Sequence, residues 1–513
     1  MARKLILAAV LTAALTSGAP ILAQAQPATT AAPAAEWDSV LAGLDQSFAQ
    51  WAEQAHAPGV VWGVVHQGRL VHVGVYGVRD FDARRPVDAD SLFRIASMSK
   101  AFTALAVLKL RDEGRLSLDA PAEDYVPELR GLAYPTADSP KIRVRDLLNH
   151  TAGFVEDNPW GDRQQVMSEA ELTALLRQGV PFAHVPGTRY EYSNLGYALL
   201  GRIITNVSGR PYKDYIEAEI MHSLGMASSG YDIFESDNAR RAIGYRWEND
   251  AHQREPDLIH GTFGAMGGVQ TSANDYARWI AFLLSAWPPR DGPETGPVRR
   301  STVREMAQGL NFASPRSRQR PDGTPCPGSS AYGMGLFAIQ DCELGAYLAH
   351  SGGYPGYGSY MLVVPDRDLG LFAFSSRTYN APVQPLTEAA LTLVRSGLAP
   401  VRDEPPTEML AAAYADAQAV WRAGDILAVE DRLAMNVLLD RSAENWRTML
   451  SGLRDQAGAC DLGSAVRPAG RMTGLFTWSC ERGVINGRVN LAPTTPVTLQ
   501  AITLRFTPNT PGS

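Results

Sequence analysis

The spacing of apolar residues changes along this chain, and the changes predict where helices and strands lie. From Trp37 onward the spacing is helical, and one face of the predicted helix carries Val40, Leu41, Leu44, Phe48 and Trp51. Two apolar stretches follow, Val60 to Val65 and Leu70 to Tyr76, which are typical of strands around a tight turn at Gln67 and Gly68. The chain is therefore predicted to open with a helix and a β-hairpin.

A second strand-rich stretch comes late in the chain. Tyr357 to Val364 and Leu369 to Phe374 predict another hairpin, with residues 365–368 as its turn. The region between the two hairpins has helical and loop character, including Glu169 to Leu176 and Tyr197 to Val207. Strands at both ends and helices in the middle predict an α/β (α+β) domain, with one sheet built from both ends of the chain and a helical lobe between them.

A domain boundary is predicted near residues 398–406. The periodicity is broken there by Gly397, Pro400, Pro405 and Pro406. Beyond it the pattern is helical to about Leu453 and strand-like from Thr473 to Phe506. We expect a main domain at residues 36–398 and a small C-terminal α+β domain at residues 405–513, which is long enough to fold alone.

Composition excludes several classes of protein. The 513 residues are 45% hydrophobic and 20% charged, which is ordinary for globular proteins and excludes a disordered or collagen-like chain. The net charge is −7 and there is no run of basic residues, so no nucleic-acid partner is expected. Lysine is scarce, since only Lys4, Lys100, Lys109, Lys141 and Lys213 occur among the 47 basic residues.

The N-terminus has the pattern of a secretory signal peptide. Arg3 and Lys4 precede a short apolar stretch from Leu5 to Leu15, and Ala23-Gln24-Ala25 is a small-x-small cleavage site. We expect residues 1–25 to be removed, leaving a secreted or periplasmic protein. The apolar stretch is shorter than a membrane span requires, so no stable span is expected after cleavage.

The four cysteines are expected to form disulfides in that compartment. Four cysteines permit three pairings, and their positions in the sequence do not decide between them. Local pairing, Cys326 with Cys342 and Cys460 with Cys480, is our prediction, because each pair then lies within one segment. Neither pair has the C-x-x-C spacing of a zinc or redox site, and we expect no metal and no cofactor.

The candidate chemistry begins at Ser97, which stands three residues before Lys100 at the start of an apolar stretch that ends near Gly114. Residues three apart in a helix share a face, so the hydroxyl and the amine can meet. A desolvated lysine can lose its proton and accept the one from serine, which arginine cannot do. The competing interpretation is that Ser97 only caps the helix and Lys100 only faces solvent.

Two further motifs add polar groups to this pair. Tyr192 and Asn194 lie in the helical region. A phenol near a cationic amine can have a lowered pKa and relay protons, and the Asn194 amide can donate to a substrate carbonyl. His350, Ser351, Gly352 and Gly353 precede the late hairpin, where glycines would let a substrate approach the backbone closely.

Other motifs are interpreted as structural. His150, in Leu147-Leu148-Asn149-His150, could suggest a Ser–His triad, but packing and hydrogen bonding beside the active-site helix are the preferred role. Gly333 to Ala338 matches G-x-G-x-x-A without the strand and helix that a dinucleotide site needs, so a core strand is expected there.

Taken in order, Ser97-x-x-Lys100, Tyr192-x-Asn194 and His350-x-Gly352 resemble the three motifs of the serine β-lactamase and penicillin-binding-protein superfamily. The branch that the chain resembles contains class C β-lactamases, family VIII esterases and D-aminopeptidases or D-Ala-D-Ala carboxypeptidases. The resemblance covers roughly residues 36 to 395. It implies a mainly antiparallel sheet flanked by helices, with a helical lobe.

The resemblance also implies roles for the motif residues. Ser97 would be the nucleophile, Lys100 its general base, and Tyr192 the residue that relays a proton to the leaving group. Asn194 would hold the substrate amide, and His350, Ser351, Gly352 and Gly353 would line the substrate site. The backbone N–H groups of Ser97 and Gly353 would form the oxyanion hole.

One departure narrows the expected substrate. The third motif is His350-Ser351-Gly352 where penicillin-recognising relatives usually carry K-T-G, so a permanent cation for a substrate carboxylate is missing. We therefore expect an exported serine hydrolase that acts on small-molecule or peptide substrates, namely esters, short amides or D-amino-acid peptides. A class C-like β-lactamase and a catalytically silent penicillin-binding-like protein remain the alternatives, and the sequence leaves the oligomeric state open.

Overall fold

The protein is described here by a computed structural model, which covers residues 34–234 and 238–509. The predicted signal peptide, residues 1–25, lies outside the described residues. The chain forms two compact units, residues 34–402 and residues 403–509, and each is described by itself.

The larger unit contains helices along its whole length. They are α1 (Ala34–Gln54), α2 (Lys100–Asp112), α3 (Val144–Leu148), α4 (Glu169–Gln178), α5 (Asn194–Ser208), α6 (Tyr212–Ile216), α7 (Gly264–Gly267), α8 (Ala273–Leu284), α9 (Arg300–Met306) and α10 (Val383–Arg395). Two 3-10 turns lie near the site described below, and they span Ala96–Ser99 and Gly161–Gln164.

Most strands of this unit lie before residue 95 or after residue 310, and three short ones lie between. The strands are β1 (Gly59–His66), β2 (Arg69–Asp80), β3 (Arg85–Pro86), β4 (Phe93–Arg94), β5 (Tyr245–Glu248), β6 (Ala251–Arg254), β7 (Gln270–Thr271), β8 (Asn311–Gln319), β9 (Pro325–Tyr332), β10 (Phe337–Asp341), β11 (Gly345–Tyr354), β12 (Tyr357–Val364) and β13 (Leu369–Ser375). The helix and the two hairpins predicted from the apolar spacing are all present.

Nine of these strands form one sheet, in the order β3-β2-β1-β13-β12-β11-β10-β9-β8. Every neighbouring pair is antiparallel. Strand β1 from the start of the unit lies beside β13 from its end, with Val60 opposite Ser375 and His66 opposite Leu369. The predicted α/β (α+β) architecture, a mainly antiparallel sheet built from both ends of the chain, is confirmed.

The two faces of the sheet are buried in different cores because side chains alternate along each strand. In β1, Val60, Trp62 and Val64 join the core that includes residues of α1 and α10. Val61 and Val65 face the other way, into the core shared with α2, α5 and α8. The helical lobe therefore packs on one face of the sheet, and the candidate site residues lie on that side.

The segment from Gly333 to Ala338 corrects one expectation. A core strand was expected there, but residues 333–336 form a turn and β10 begins only at Phe337. Gly335 has a φ of +82°, and a Cβ on it would lie 2.9 Å from the Lys100 carbonyl oxygen. The turn exists because this glycine packs directly on the start of α2.

The smaller unit contains helices followed by strands, as the apolar pattern predicts. Its elements are α11 (Glu408–Ala423), α12 (Asn436–Asp440), α13 (Ala443–Ala457), β14 (Cys460–Asp461), β15 (Arg467–Pro468), β16 (Thr473–Cys480), β17 (Gly483–Leu491) and β18 (Leu499–Pro508). The strands form one antiparallel sheet whose core includes Trp478, Ile485 and Val489.

Both predicted disulfides are present. Cys326 is bonded to Cys342, between β9 and the end of β10, and Cys460 is bonded to Cys480, between paired positions of β14 and β16. The local pairing is therefore confirmed. In the part of the chain that the structure describes, no helix combines the length and apolar character needed to cross a bilayer.

Candidate active site

Ser97 and Lys100 lie where the chain enters the buried helix α2. Ser97 is in the 3-10 turn Ala96–Ser99, and Lys100 is the first residue of α2. The sequence predicted that both residues open one helix, whereas Ala96 has a left-handed φ of +49° that sets the turn apart. A non-glycine residue in that conformation is uncommon and often marks a functional site.

The side chains of Ser97 and Lys100 are in hydrogen-bond contact. The Lys100 Nζ donates to the Ser97 Oγ at 3.1 Å, to the Asn194 Oδ1 at 2.7 Å and to the Met266 carbonyl oxygen at 3.0 Å. Lys100 has no exposed surface. The competing interpretation of a solvent-facing lysine is therefore wrong.

The electrostatic setting of Lys100 favours its neutral form. Burial lowers the pKa of Lys100 to about 7, and the negative charges of Asp162 and Asp157 act in the opposite direction. Among the described residues, no carboxylate lies within ion-pair distance of the amine. A substantial fraction of Lys100 is thus neutral near pH 7, and a neutral amine has the lone pair needed to take the Ser97 proton.

Tyr192 lies against the same pair of residues. The Lys100 Nζ is 4.8 Å from the centre of the Tyr192 ring, and the Tyr192 hydroxyl is hydrogen-bonded to Ser97. Burial raises the pKa of Tyr192 well above 10, and the hydrogen bond with Ser97 offsets this only in part. This pKa is not lowered, because desolvation of the phenolate outweighs the nearby amine. Tyr192 therefore keeps its proton and can donate it.

Asn194 is the first residue of α5 and is fully buried. Its Oδ1 accepts from Lys100, and its Nδ2 donates to the Asn158 Oδ1 at 2.6 Å. The Asp157 carboxylate accepts from the backbone N–H groups of Asn194 and Leu195, at 2.6 and 2.9 Å, so it holds the N-terminus of α5 in place. In the structure the Asn194 side chain is hydrogen-bonded to Lys100. The resemblance had instead implied that Asn194 contacts a substrate amide.

His350 lies on β11 and is buried. Its Nδ1 is 2.6 Å from the Ser351 carbonyl oxygen, and its Nε2 is 3.0 Å from the Tyr332 hydroxyl. Since a carbonyl can only accept, Nδ1 carries the proton and Nε2 accepts from Tyr332. Burial, with a smaller contribution from Lys100, lowers the pKa of His350 to about 3, so this residue is neutral at any working pH.

The other residues of the third motif bring β11 next to the Ser97 turn. A Cβ on Gly352 would lie 2.3 Å from the Ile95 carbonyl oxygen, so only glycine lets the strand approach that closely. Ser351 is exposed, and Gly353 is half-buried beside the ring of Tyr379. All eight candidate residues from the three motifs are thus gathered around the start of α2, the start of α5 and β11.

Two buried carboxylates near Lys100 were not predicted from the sequence. Asp157 caps α5, and Asp162 lies in the turn Gly161–Gln164 with 3% of its surface exposed. Burial raises the pKa of Asp162 to about 6, while Lys100 and a hydrogen bond with the Tyr379 hydroxyl oppose the rise. No motif or periodic spacing links these acids to Ser97, so the sequence offered no signal for them.

His150 has the packing role expected for it. Its Nδ1 accepts from the Ser193 backbone N–H at 3.1 Å, and its ring lies 4.3 Å from that of Tyr192. Burial lowers the pKa of His150 well below its ordinary value, so it is neutral. His150 packs against the ring of Tyr192, and within the described residues it makes no hydrogen bond with Ser97.

One group of possible metal ligands occurs within the described residues. Cys326, Cys342 and Glu343 offer atoms within 4.8 Å of one another. The two sulfurs are joined in a disulfide and are not available as thiolate ligands. This group is therefore not a metal centre.

The sheet, the helical lobe and the buried Ser97–Lys100 pair together define a protein of the serine β-lactamase and penicillin-binding-protein superfamily. The chain belongs to the Beta-lactamase family, whose family model matches residues 44–396.

Several known proteins are similar to this chain. Protein flp of Staphylococcus aureus (strain N315) is 27% identical over 335 residues, which are 65% of this chain and 62% of that protein. An uncharacterized protein of Mycobacterium tuberculosis, MT1414, is 28% identical over 366 residues, 64% of this chain and 88% of that one. The match thus spans about three fifths of the length of the flp protein.

A solved structure shares the fold. The octameric penicillin-binding protein homologue from Pyrococcus abyssi superposes with a TM-score of 0.56 at 19% identity, covering 90% of this chain and 99% of that one. At this identity the likeness concerns the fold alone.

Proposed function

We propose that residues 36–398 form a serine hydrolase domain that acts on esters, short amides or D-amino-acid peptides through an acyl-Ser97 intermediate. One observation carries the proposal. The Lys100 Nζ lies 3.1 Å from the Ser97 Oγ, inside a site where burial brings the pKa of Lys100 to about 7. This geometry matches a nucleophile and its general base.

The proposed reaction has two halves. In the first, the Ser97 Oγ attacks the substrate carbonyl carbon while its proton passes to the Lys100 Nζ. The oxyanion accepts from the backbone N–H groups of Ser97 and Gly353, each worth about 3 kcal/mol in comparable sites. Tyr192 protonates the leaving group and regains its proton from Lys100. In the second half, water attacks the acyl carbon while Lys100 accepts a water proton. The bond from the acyl carbon to the Ser97 Oγ then breaks, and Lys100 returns the proton to the Oγ.

The neutral third motif favours esters and amides over β-lactams. Classical β-lactams present a carboxylate, and His350 is buried and uncharged, so it supplies no cation to bind one. The presence of Ser97, Lys100 and Tyr192 in contact disfavours the silent binding protein, because a binding role needs no desolvated base.

Export from the cytoplasm belongs to the same proposal. Disulfides persist in oxidising compartments and are rare in the cytosol. The bonds Cys326–Cys342 and Cys460–Cys480 therefore support a secreted or periplasmic protein.

Acylation can be tested by intact-protein mass spectrometry with p-nitrophenyl acetate and a fluorophosphonate. Wild type should gain one acyl or phosphonyl group, and Ser97→Ala should gain none. Ser99→Ala is the matched control, because Ser99 lies in the same turn but its Oγ is occupied by the Val269 backbone N–H at 3.1 Å. A Ser97→Ala protein that still gained the acyl mass would exclude Ser97 as nucleophile. Turnover of nitrocefin faster than that of the ester would favour the β-lactamase.

A further inference from the structure

Two buried carboxylates beside the site differ in how their charge is satisfied. Both oxygens of Asp157 accept from backbone N–H groups at the start of α5. Asp162 is equally buried, and its hydrogen-bond partner is the hydroxyl of Tyr379. Within residues 34–234 and 238–509, Asp162 makes no ion pair with a lysine, an arginine or a histidine. A buried carboxylate left in this state costs free energy that a cationic partner would recover.

The position of Asp162 is fixed by contacts with two neighbouring segments. A Cβ on Gly161 would lie 2.9 Å from the Asn194 Cβ, so the turn that carries Asp162 packs on the residue that holds Lys100. A Cβ on Gly353 would lie 2.9 Å from the Tyr379 Cδ1, so the partner of Asp162 packs on the proposed oxyanion strand. Asp162 therefore lies between the two groups that would flank a bound carbonyl.

A second polar side chain in the same turn region also lacks a partner. Gln165 is fully buried, and neither its amide oxygen nor its amide nitrogen is hydrogen-bonded within the described residues. Its Nε2 would be 3.0 Å from a Cβ on Gly267, the residue after Met266, whose carbonyl accepts from Lys100. Buried amides are normally satisfied by a hydrogen bond, so the Gln165 amide can donate to or accept from a polar group of a bound substrate near Lys100.

The charges around Lys100 suit one kind of substrate group. Asp157 and Asp162 act on Lys100, the exposed Glu156 acts on Asp162, and His350 is neutral. A substrate ammonium would find a carboxylate without an ion pair. Two arginines lie nearby, but Arg163 is paired with Glu255 and Arg94 lies over the ring of Tyr354.

We propose that Asp162 is a specificity-determining residue that binds a positively charged amino group on the acyl side of the substrate, next to the scissile carbonyl. The substrate class is then amino-acid esters and amides, or peptides, with a free α-amino group. This inference rests on the proposed function, since it assigns the acyl group that Ser97 would receive.

Binding of such a substrate would also affect the base. The charge of Asp162 raises the pKa of Lys100, so an ammonium paired with Asp162 cancels that influence. The pKa of Lys100 then falls, and the neutral form that accepts the Ser97 proton is favoured when the correct substrate is bound.

The test compares two substrates that differ in one group. Alanine p-nitroanilide, as both enantiomers, carries the ammonium, and isobutyryl p-nitroanilide has a methyl group in its place. At pH 7.5, where much of the α-amino group is charged, wild type should prefer one alanine enantiomer. Asp162→Asn should lower kcat/KM for that enantiomer about 100-fold, mainly through KM. The same variant should change kcat/KM for the isobutyryl compound by less than about threefold.

Two control variants make the result specific. Glu156→Gln removes a charge from an exposed residue a few positions away, whose Oε1 accepts from the Asn158 backbone N–H. Glu156 raises the pKa of Asp162, so this variant keeps Asp162 charged at pH 7.5, and kcat/KM for both substrates should stay within about threefold. Tyr379→Phe removes only the hydroxyl that contacts Asp162, and should reduce the preference several-fold through KM. If Asp162→Asn does not fold, the Tyr379→Phe variant alone tests whether Asp162 binds the substrate ammonium.

Three results would overturn the inference. The first is an equal loss of kcat/KM for both substrates in Asp162→Asn, which would mean that Asp162 acts only through Lys100. The second is a wild type without preference for the ammonium substrate, and the third is an unchanged preference in the variants. If wild type hydrolyses neither compound, the proposed function fails, and calorimetry with alanine amide decides the inference separately. Binding to wild type that is lost in Asp162→Asn supports it, and no binding to wild type contradicts it.

Discussion

Buried charge is handled differently in the two units of this protein. In residues 403–509, the buried carboxylate of Asp416 is paired with the Arg432 Nε at 2.6 Å, and the core around Trp478 is otherwise apolar. In residues 34–402, Lys100 and Asp162 are as deeply buried, and among the described residues neither has an ion-pair partner. Fold stability alone favours the first arrangement, because an unpaired buried charge costs free energy.

The difference between paired and unpaired buried charges indicates which unit is expected to carry the chemistry. Burying a lysine makes its amine partly neutral at pH 7 but costs folding free energy. Such a group is therefore expected where a reaction uses the neutral amine. The C-terminal unit shows no comparable group in the residues that the structure describes. The following predictions test whether the unpaired charges are functional and the paired ones structural.

The largest effect is expected for Lys100→Arg. A guanidinium stays protonated at any working pH, so it can supply positive potential but cannot accept the Ser97 proton. We expect kcat/KM for p-nitrophenyl acetate to fall roughly 1,000-fold or more, as in Lys100→Ala. Circular dichroism checks that the fold is kept. Activity of Lys100→Arg within about tenfold of wild type would exclude Lys100 as the general base, and Tyr192 would then be the leading candidate for that role.

An intermediate effect, on stability alone, is expected from the disulfide of the C-terminal unit. Replacing Cys460 and Cys480 by serine should lower the free energy of unfolding of that unit by roughly 2–4 kcal/mol, because the bond closes a loop in the unfolded chain. Ester hydrolysis measured below the unfolding transition should stay within about twofold. The matched control is the double serine variant at Cys326 and Cys342, in the unit that contains Ser97. A loss of activity in the Cys460 and Cys480 variant while it remains folded would show that this unit takes part in the reaction.

The smallest effect is a shift of the pH profile. With a neutral ester, kcat/KM should rise with pH through an apparent ionisation near 7, because the active form of Lys100 is the unprotonated one. Asp162 raises the pKa of Lys100, so Asp162→Asn should move the midpoint to lower pH. His350→Gln should leave the midpoint in place, since the pKa of His350 is about 3. A midpoint that moves upward in Asp162→Asn, or disappears in His350→Gln, would contradict this assignment.

The sequence was sufficient for the architecture and for the motif residues. The short apolar stretches at Val60 to Val65 and at Tyr357 to Val364 are typical of buried strands, and both strands formed as expected. Ser97 and Lys100 were found because their spacing in a helix puts them on one face, and the two side chains are in contact.

What the sequence missed depends on burial, which only the folded chain defines. The pKa of Tyr192 can fall beside a cationic amine, but burial raises it here. Asn194 was assigned to the substrate, whereas its position at the start of α5 directs it to Lys100. Asp162 carried no motif, and its relation to the site arises from packing against Asn194 and Tyr379.

The central claim is that Lys100 is close to half neutral at pH 7, and its ionisation can be observed directly. Because the chain contains only five lysines, a protein labelled with carbon-13 at lysine Cε gives few resonances, and Lys100→Arg assigns the one from Lys100. We predict that this resonance titrates with a midpoint near pH 7. A Lys100 resonance that titrates only at the ordinary lysine value of about 10.4 would contradict the account.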